Sequence, residues 1–202
     1  MTALTLSALS FAPAAFNREM NPEPADDAAL VAATLAGEDD AFAELVRRHK
    51  ARVFSAASRF ARDAHQVDDI AQDAFLRAFR NLAKFRGDAP FEHWLARITV
   101  SACYDFLRKE RRIREQVSLD AYDFDLRDHG ADAALAAGRA RELVLHAMRQ
   151  LSADEQLILT LAELEERPMR EISELTGWTE SNVKVRAFRA RQSLKKILSL
   201  EP

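Results

Sequence analysis

The sequence predicts an all-α protein of two small helical domains joined by a flexible acidic linker, and three observations carry that prediction. Five glycines and six prolines among 202 residues are less than half the usual share of about 12%, too few for the turns of a sandwich, barrel or hairpin meander. Apolar residues recur at three- and four-residue intervals over long stretches, the period of an amphipathic helix. Between two such regions lies an acidic stretch in which no stripe is sustained. A hydrophobic content of 48% excludes a disordered chain, and a mean hydropathy of -0.26 excludes a membrane bundle. The single cysteine, Cys103, excludes a disulfide scaffold and a Cys-rich zinc site and fits a reducing cytoplasm.

In the first region, Phe42, Leu45, Val46, Val53, Phe54, Ala57 and Phe60 form one stripe from Asp39 onward. A second helix is expected from Val67 to Leu82, with Ala71, Phe75, Ala78, Phe79 and Leu82 inward. Phe85 to Pro90 carries the local Gly and Pro punctuation and reads as a loop. A third helix is expected from Phe91 through Trp94, Leu95, Ile98 and Ala102, leaving the core around Arg108–Arg112. Asp120, Asp123, Asp125, Asp128 and Asp132 then mark the linker. In the second region, Leu143, Val144, Ala147, Met148 and Leu151 make one helix, and Ser152-Ala153-Asp154-Glu155 reads as a capping box opening the next, which carries Leu157, Ile158, Leu161, Ala162 and Leu164.

The N-terminal stretch Met1–Phe16 is apolar and loosely resembles a signal peptide, but no Lys or Arg precedes its apolar run. It is too short to span a bilayer as a helix. Translation from Met20 is the alternative, with the acidic Asn-Pro-Glu-Pro following.

Charge is asymmetric. Residues 1–46 hold one basic residue, Arg18, and eight acidic ones, whereas residues 47–202 hold 28 basic and 24 acidic. The net charge of -3 therefore does not exclude a nucleic-acid partner, because clustering sets the local field.

Met169–Thr176, Gly177, Trp178-Thr179 and a long helix from Glu180 to Leu198 describe a helix-turn-helix, with Thr179 as N-cap and Ile172, Leu175 and Val183 in its packing positions. From Ser181 to Leu200 there are Lys184, Arg186, Arg189, Arg191, Lys195 and Lys196 and no acidic residue. Six positive charges with no acidic residue among them suit DNA in the major groove; a solvated basic face is the plainer alternative. A second basic cluster, Arg108, Lys109, Arg111, Arg112 and Arg114, follows Phe85, Phe91, Trp94 and Tyr104. Rings beside cations suit single-stranded nucleic acid; Phe91 and Trp94 lie on the apolar stripe and read more simply as core, whereas Phe85 and Arg86 in the loop are less easily explained that way. Asp68, Asp69, Gln72 and Asp73 with Leu76 give the second helix an acidic face, either solvated or a protein-docking surface.

These residues resemble a family. Asp68-Asp69-Ile70-Ala71-Gln72-Asp73-Ala74-Phe75-Leu76-Arg77-Ala78-Phe79, with Phe85-Arg86-Gly87-Asp88, Trp94-Leu95-Ala96-Arg97-Ile98 and Asp105-Phe106-Leu107-Arg108, is similar to region 2 of bacterial RNA polymerase sigma factors. Asn182 to Arg191 is similar to their region 4 recognition helix. Two regions and a short linker resemble the extracytoplasmic-function (ECF) group. The resemblance implies region 2 over 28–113, a linker over 114–138 and region 4 over 139–202; residues 1–27, of which about the first 25 match nothing in the family pattern, are expected to be a flexible extension.

It further implies a cytoplasmic, non-catalytic initiation subunit without cofactor, metal, small-molecule substrate or membrane insertion. Its implied partners are core RNA polymerase (the β′ clamp helices and the β flap), promoter DNA and an anti-sigma factor. Asp69, Gln72, Asp73 and Leu76 would dock the clamp helices. Asn81, Phe85 and Arg86 would hold a base flipped from the minus-ten element, and Ser101, Arg108, Arg111 and Arg112 would line the melted strand. Capturing an extruded base costs a few kcal/mol of unstacking, which its pocket must offset. Val185, Phe188 and Arg189 would face minus-thirty-five bases, while Lys184 and Arg186 would contact phosphates and hold register.

Three positions depart from the family pattern. Ser101 stands where many relatives have Asn, Ser173 where helix-turn-helix units often have Ala, and Val185 where a polar residue is common, leaving a methyl contact in place of a hydrogen bond.

A stand-alone helix-turn-helix regulator would leave the aromatic–basic cluster unexplained, and a sigma mimic would not need an intact basic helix. An enzyme is the weakest reading. His49, His65, His93, His129 and His146 form no ligand pair at helical spacing. Cys103, inside a helix, reads as buried packing rather than a redox switch.

Overall fold

The computed structural model describes residues 26–116 and 143–199; the expected N-terminal extension up to residue 25 and most of the linker lie outside them, whereas Asp27, assigned to that extension, begins the first helix. Among the described residues every regular element is helical. The first unit comprises α1 (Asp27–Leu35), α2 (Asp39–Ala57), α3 (Ala64–Asn81) and α4 (Phe91–Gln116).

Helix α1 was not anticipated from the sequence, because nine residues with only Leu30 and Val31 buried give no sustained period. The Asp27 carboxylate fixes it to α2, 2.8 Å from His49 Nε2 and 3.2 Å from Arg48 Nη1. Helix α3 starts three residues before the expected Val67, because Asp63 caps it by accepting from the Gln66 N–H at 2.8 Å. It ends in a tighter turn, Leu82–Lys84, that buries Leu82.

Phe79 was expected to point inward and instead is 51% exposed. Ala71, Ala74 and Ala78 occupy the buried line of α3, and one residue beyond Ala78 the helix has turned by about 100°. Helix α4 runs the expected course and stays in the core through Leu107.

In the second unit, residues 143–150 form the described part of α5, followed by α6 (Ala153–Leu159), α7 (Met169–Thr176) and α8 (Glu180–Leu198). The Ser152–Glu155 capping box forms as expected: the Ser152 N–H donates to Glu155 Oε2 at 2.9 Å and the Glu155 N–H to Ser152 Oγ at 3.3 Å. Beyond α6 the chain widens into a π turn, Thr160–Leu164, closed by the Glu165 N–H donating to the Thr160 carbonyl at 3.0 Å. The wider turn shifts the helical phase, and Leu164 emerges into solvent.

The helix-turn-helix closes on two local devices. Gly177 takes a left-handed φ of +75°, and its N–H donates to the Ser173 carbonyl at 2.9 Å; that backbone conformation is strained for residues with a Cβ. The Ser173 hydroxyl donates to the Trp178 carbonyl at 2.6 Å, which explains a hydroxyl where the family pattern often has Ala. Thr179 caps α8 as expected. Ile172, Val183, Ala187 and Ala190 are fully buried beneath it, the larger of them each worth roughly 1.5–3 kcal/mol of burial.

The two units touch. Helix α4 packs against α6 and α7 as well as α2 and α3, so one helix serves both cores.

Candidate nucleic-acid interface

Helix α8 uses Val183, Ala187 and Ala190 to pack and turns the intervening positions outward. Val185 is 48% and Phe188 62% exposed, and Lys184 and Arg189 are exposed beside them. Together they put large apolar side chains in water on a cationic helix, and contiguous exposed apolar patches are a general mark of interaction surfaces.

The charge is less one-sided than the helix sequence suggested. Lys184 pairs with Glu180 at 2.7 Å, Arg191 with Glu163 at 2.6 Å, and Arg186 with Asp154. The compensating carboxylates come from the first turn of α8, from α6 and from the π turn that follows α6. Arg189, Lys195 and Lys196 carry the net positive field. Arg186 turns inward, its guanidinium 4.3 Å from the centroid of the Trp178 ring.

In the first unit, Arg77, Asn81, Trp94, Arg97, Ile98 and Ser101 line one open cavity of about 440 Å³, within the size range of small-ligand sites. It brings together Asn81 from the end of α3 and Ser101 from the middle of α4. Arg77 and Arg97 were not singled out as site residues, and Trp94 was named only among the rings near the basic cluster, although Trp94 and Arg97 sit at helical spacing from Ser101. Asn81 is oriented by donating to the Arg77 carbonyl at 2.8 Å and accepting from Lys84 at 2.8 Å. Arg77 bridges Asp73 and Asp105, at 2.7 and 2.6 Å.

Phe85 and Arg86 stand apart from that cavity's lining. Phe85, unexplained as core by the sequence, packs into the core against Phe91 and Trp94, each ring centroid 5.5 Å away. Arg86 is exposed and pairs with Asp88 at 3.0 Å. The basic end of α4 divides by helical phase. Arg108 and Arg112 face solvent, Arg111 pairs with Glu115 at 2.7 Å, and Arg114 is half-buried, donating to the Arg149 carbonyl of the second unit.

The acidic face of α3 is continuous. Asp69 and Gln72 are exposed, Asp73 is partly so, and Leu76 is 45% exposed. Phe79 extends the same edge, its ring 4.9 Å from Phe42 in edge contact. Helical spacing places 69, 72, 73 and 76 on one side.

Comparison with known proteins accounts for both units. The Sigma-70 region 2 family matches residues 45–113, and the Sigma-70 region 4 family matches residues 141–194. The chain is 32% identical over 172 residues to the ECF RNA polymerase sigma factor SigM of Mycobacterium tuberculosis, covering 85% of this chain and 84% of that protein. It is 31% identical over 180 residues to the RNA polymerase sigma-H factor of Pseudomonas aeruginosa, covering 85% and 93%. Among solved structures it resembles CnrH in complex with the cytosolic domain of CnrY, with a TM-score of 0.53, 27% identity, and coverage of 87% of this chain and 99% of that one. The fold also resembles that of the sigma factor RpoE solved with the anti-sigma factor NepR from Bartonella quintana, with a TM-score of 0.51 at 18% identity, covering 80% and 98%. The chain belongs to the ECF group of RNA polymerase sigma factors.

Proposed function

We propose that the chain docks core RNA polymerase through the α3 face and presents two separate surfaces to promoter DNA, α8 to the minus-thirty-five element and the α3–α4 cavity to the melted minus-ten strand. The observation that carries this reading is the exposure of Val185, Phe188 and Arg189 together on a helix whose opposite side is fully packed. A recognition helix needs that division: one side anchored, the other free to meet base edges. In the α3–α4 cavity, the Trp94 ring supplies a stacking surface, while Asn81 and Ser101 supply hydrogen-bonding groups and Arg97 a cation. Arg108 and Arg112 lie along the same helix for the backbone of that strand.

As a sigma factor the chain is a non-catalytic subunit that directs an enzyme. Its place of action is the cytoplasm, where polymerase and promoter are; no helix among the described residues is long and apolar enough to cross a membrane. The complexes of CnrH with CnrY and of RpoE with NepR support an anti-sigma factor as a further partner. A groove of about 1240 Å³ between the units, bordered by His49, Arg52, Phe60, Leu164, Glu171 and Leu175, offers such a protein a seat touching both.

The test is reconstitution with core polymerase, followed by permanganate footprinting on the promoter of its own operon. Reactive thymines near the start site only when this chain is present would support the reading. Core binding without any opened promoter in a genome-wide pool of fragments would contradict it.

A further inference from the structure

We propose that Asp27 and His49 are positioning residues for the α3–α4 cavity: through this pair, α1 sets the ring of Phe91 and, through it, the stacking face that Trp94 offers a minus-ten base. The inference rests on the reading of that cavity as the strand site and names what holds it in shape. The buried line of α2 is Ala41, Leu45, His49, Val53 and Ala57, four residues apart and apolar except at His49. A polar ring on such a line costs stability unless it is hydrogen-bonded, and an aliphatic side chain would fill the position without that requirement. The partner comes from another helix. A carboxylate only accepts, so His49 Nε2 donates to Asp27 Oδ2 at 2.8 Å. Asp27 Oδ1 accepts from Arg48 at 3.2 Å, and Arg48 is held in turn by Glu44 at 2.7 Å, so the carboxylate is braced on both oxygens.

What the pair holds is a set of packed rings. The His49 ring lies 5.3 Å from that of Phe91, tilted by 56°. Phe91 is 5.5 Å from both Phe85 and Trp94, which are themselves 5.5 Å apart. Phe91 is buried, whereas Trp94, one helical turn on, is half-buried and lines the cavity. An imidazole without a partner has broad freedom about its ring torsion. The bond to Asp27 fixes its plane, and close packing passes that constraint to Phe91 and on to Trp94. Stacking prefers one orientation of the ring face over others, so a tilt of Trp94 weakens its hold on a base. The cavity is lined from α3 and α4, and α1 reaches it through these rings. Asp27 and His49 lie outside both the α3 docking face and α8, which confines the effect to the strand.

The experiment uses the full chain bound to core polymerase and a single-stranded minus-ten oligonucleotide from the promoter of its own operon, with 2-aminopurine replacing each base in turn. Fluorescence quenching at saturation reads stacking, titration reads strand affinity, and Trp94→Ala identifies the position whose quenching comes from that ring. The variants are Asp27→Ala, Asp27→Asn, whose amide oxygen still accepts from His49, and His49→Leu, which keeps apolar bulk and removes both ring and hydrogen bond. We expect Asp27→Ala and His49→Leu to lose quenching at that position and to bind the strand about tenfold more weakly, within the range of one lost base–aromatic stack. Asp27→Asn should keep most of both, and core capture and minus-thirty-five duplex binding should be unchanged in all three. A merely structural role would leave His49→Leu with parental strand binding and undiminished thermal stability, so this variant decides the matter if Asp27→Ala does not fold. Parental quenching and affinity in the folded variants overturn the proposal, as does a loss that extends equally to core capture. The two levels separate at Trp94: quenching that Trp94→Ala leaves intact at every position overturns the cavity reading as well, whereas Trp94-dependent quenching that survives in the Asp27 and His49 variants overturns the positioning alone.

Discussion

Phe79 meets Phe42 edge-on at 4.9 Å, yet it remains 51% exposed on the same edge of α3 as Leu76. Packing inside the chain therefore uses one side of the ring and leaves the other in solvent, on the face proposed to dock the polymerase. We expect Phe79→Ala to weaken core polymerase binding by about 1–2 kcal/mol, roughly a five- to thirtyfold loss, as for a central interface aromatic. Asp73→Arg should weaken it further, because it reverses a charge on the docking face and removes a partner of Arg77. Affinity capture of core polymerase, with circular dichroism as the folding control, checks both; undiminished capture would remove α3 as the docking face.

Arg189 and Lys184 should separate base reading from backbone holding. Arg189→Ala is expected to cost about 1–3 kcal/mol on the preferred minus-thirty-five sequence and to relax preference at one position. Lys184→Ala should weaken all duplexes alike and reduce the salt dependence by about one phosphate contact. Binding titrations at several salt concentrations on matched and scrambled duplexes distinguish the two, and equal loss for Arg189→Ala on both would reject base readout.

Ser152 holds the start of α6, and its partner Glu155 also accepts from Ser193 of α8 at 2.6 Å. Burial pushes the Glu155 carboxyl up, but hydrogen bonds from Ser193 and Ser152 outweigh it and hold the group below its usual value of 4.5. A carboxyl lowered in the folded state adds stability that is present in full above its unfolded value and is lost as pH falls through its folded one. Ser152→Ala should therefore cost about 1 kcal/mol near neutral pH and less at an acidic pH below the lowered folded-state value of Glu155, where the carboxyl is protonated. Urea melts at the two pH values measure the difference.

Cys103 is fully buried, and burial pushes its thiol up to about 12. The thiolate is the reactive form, so alkylation at pH 8 should be negligible in the folded protein and rapid in denaturant. Mass spectrometry after timed iodoacetamide treatment reads this directly. Fast modification of the native chain would mean that α4 opens readily.

The helices were legible because their stripes are long and their caps local. Gly177, Thr179 and the Ser152–Glu155 pair act within four residues, so sequence spacing specifies them. What sequence hid depended on neighbours far along the chain. Helix α1 is too short to show a period, and its anchor is a hydrogen bond to His49 and an ion pair to Arg48, more than twenty residues away. Phe85 looked free because the rings of Phe91 and Trp94 that cover it belong to the next helix. The α8 charges looked uncompensated because Asp154 and Glu163 lie in another element. The cavity partners Arg77, Trp94 and Arg97 join Asn81 and Ser101 only once α3 and α4 pack side by side.

Run-off transcription by purified core polymerase across the promoter of the chain's own operon, with and without the protein, tests promoter recognition most directly. A defined transcript that requires the protein and disappears with Asp73→Arg is the expected result. A protein that neither binds core polymerase nor yields any transcript, while still binding DNA as an independent regulator, would contradict it.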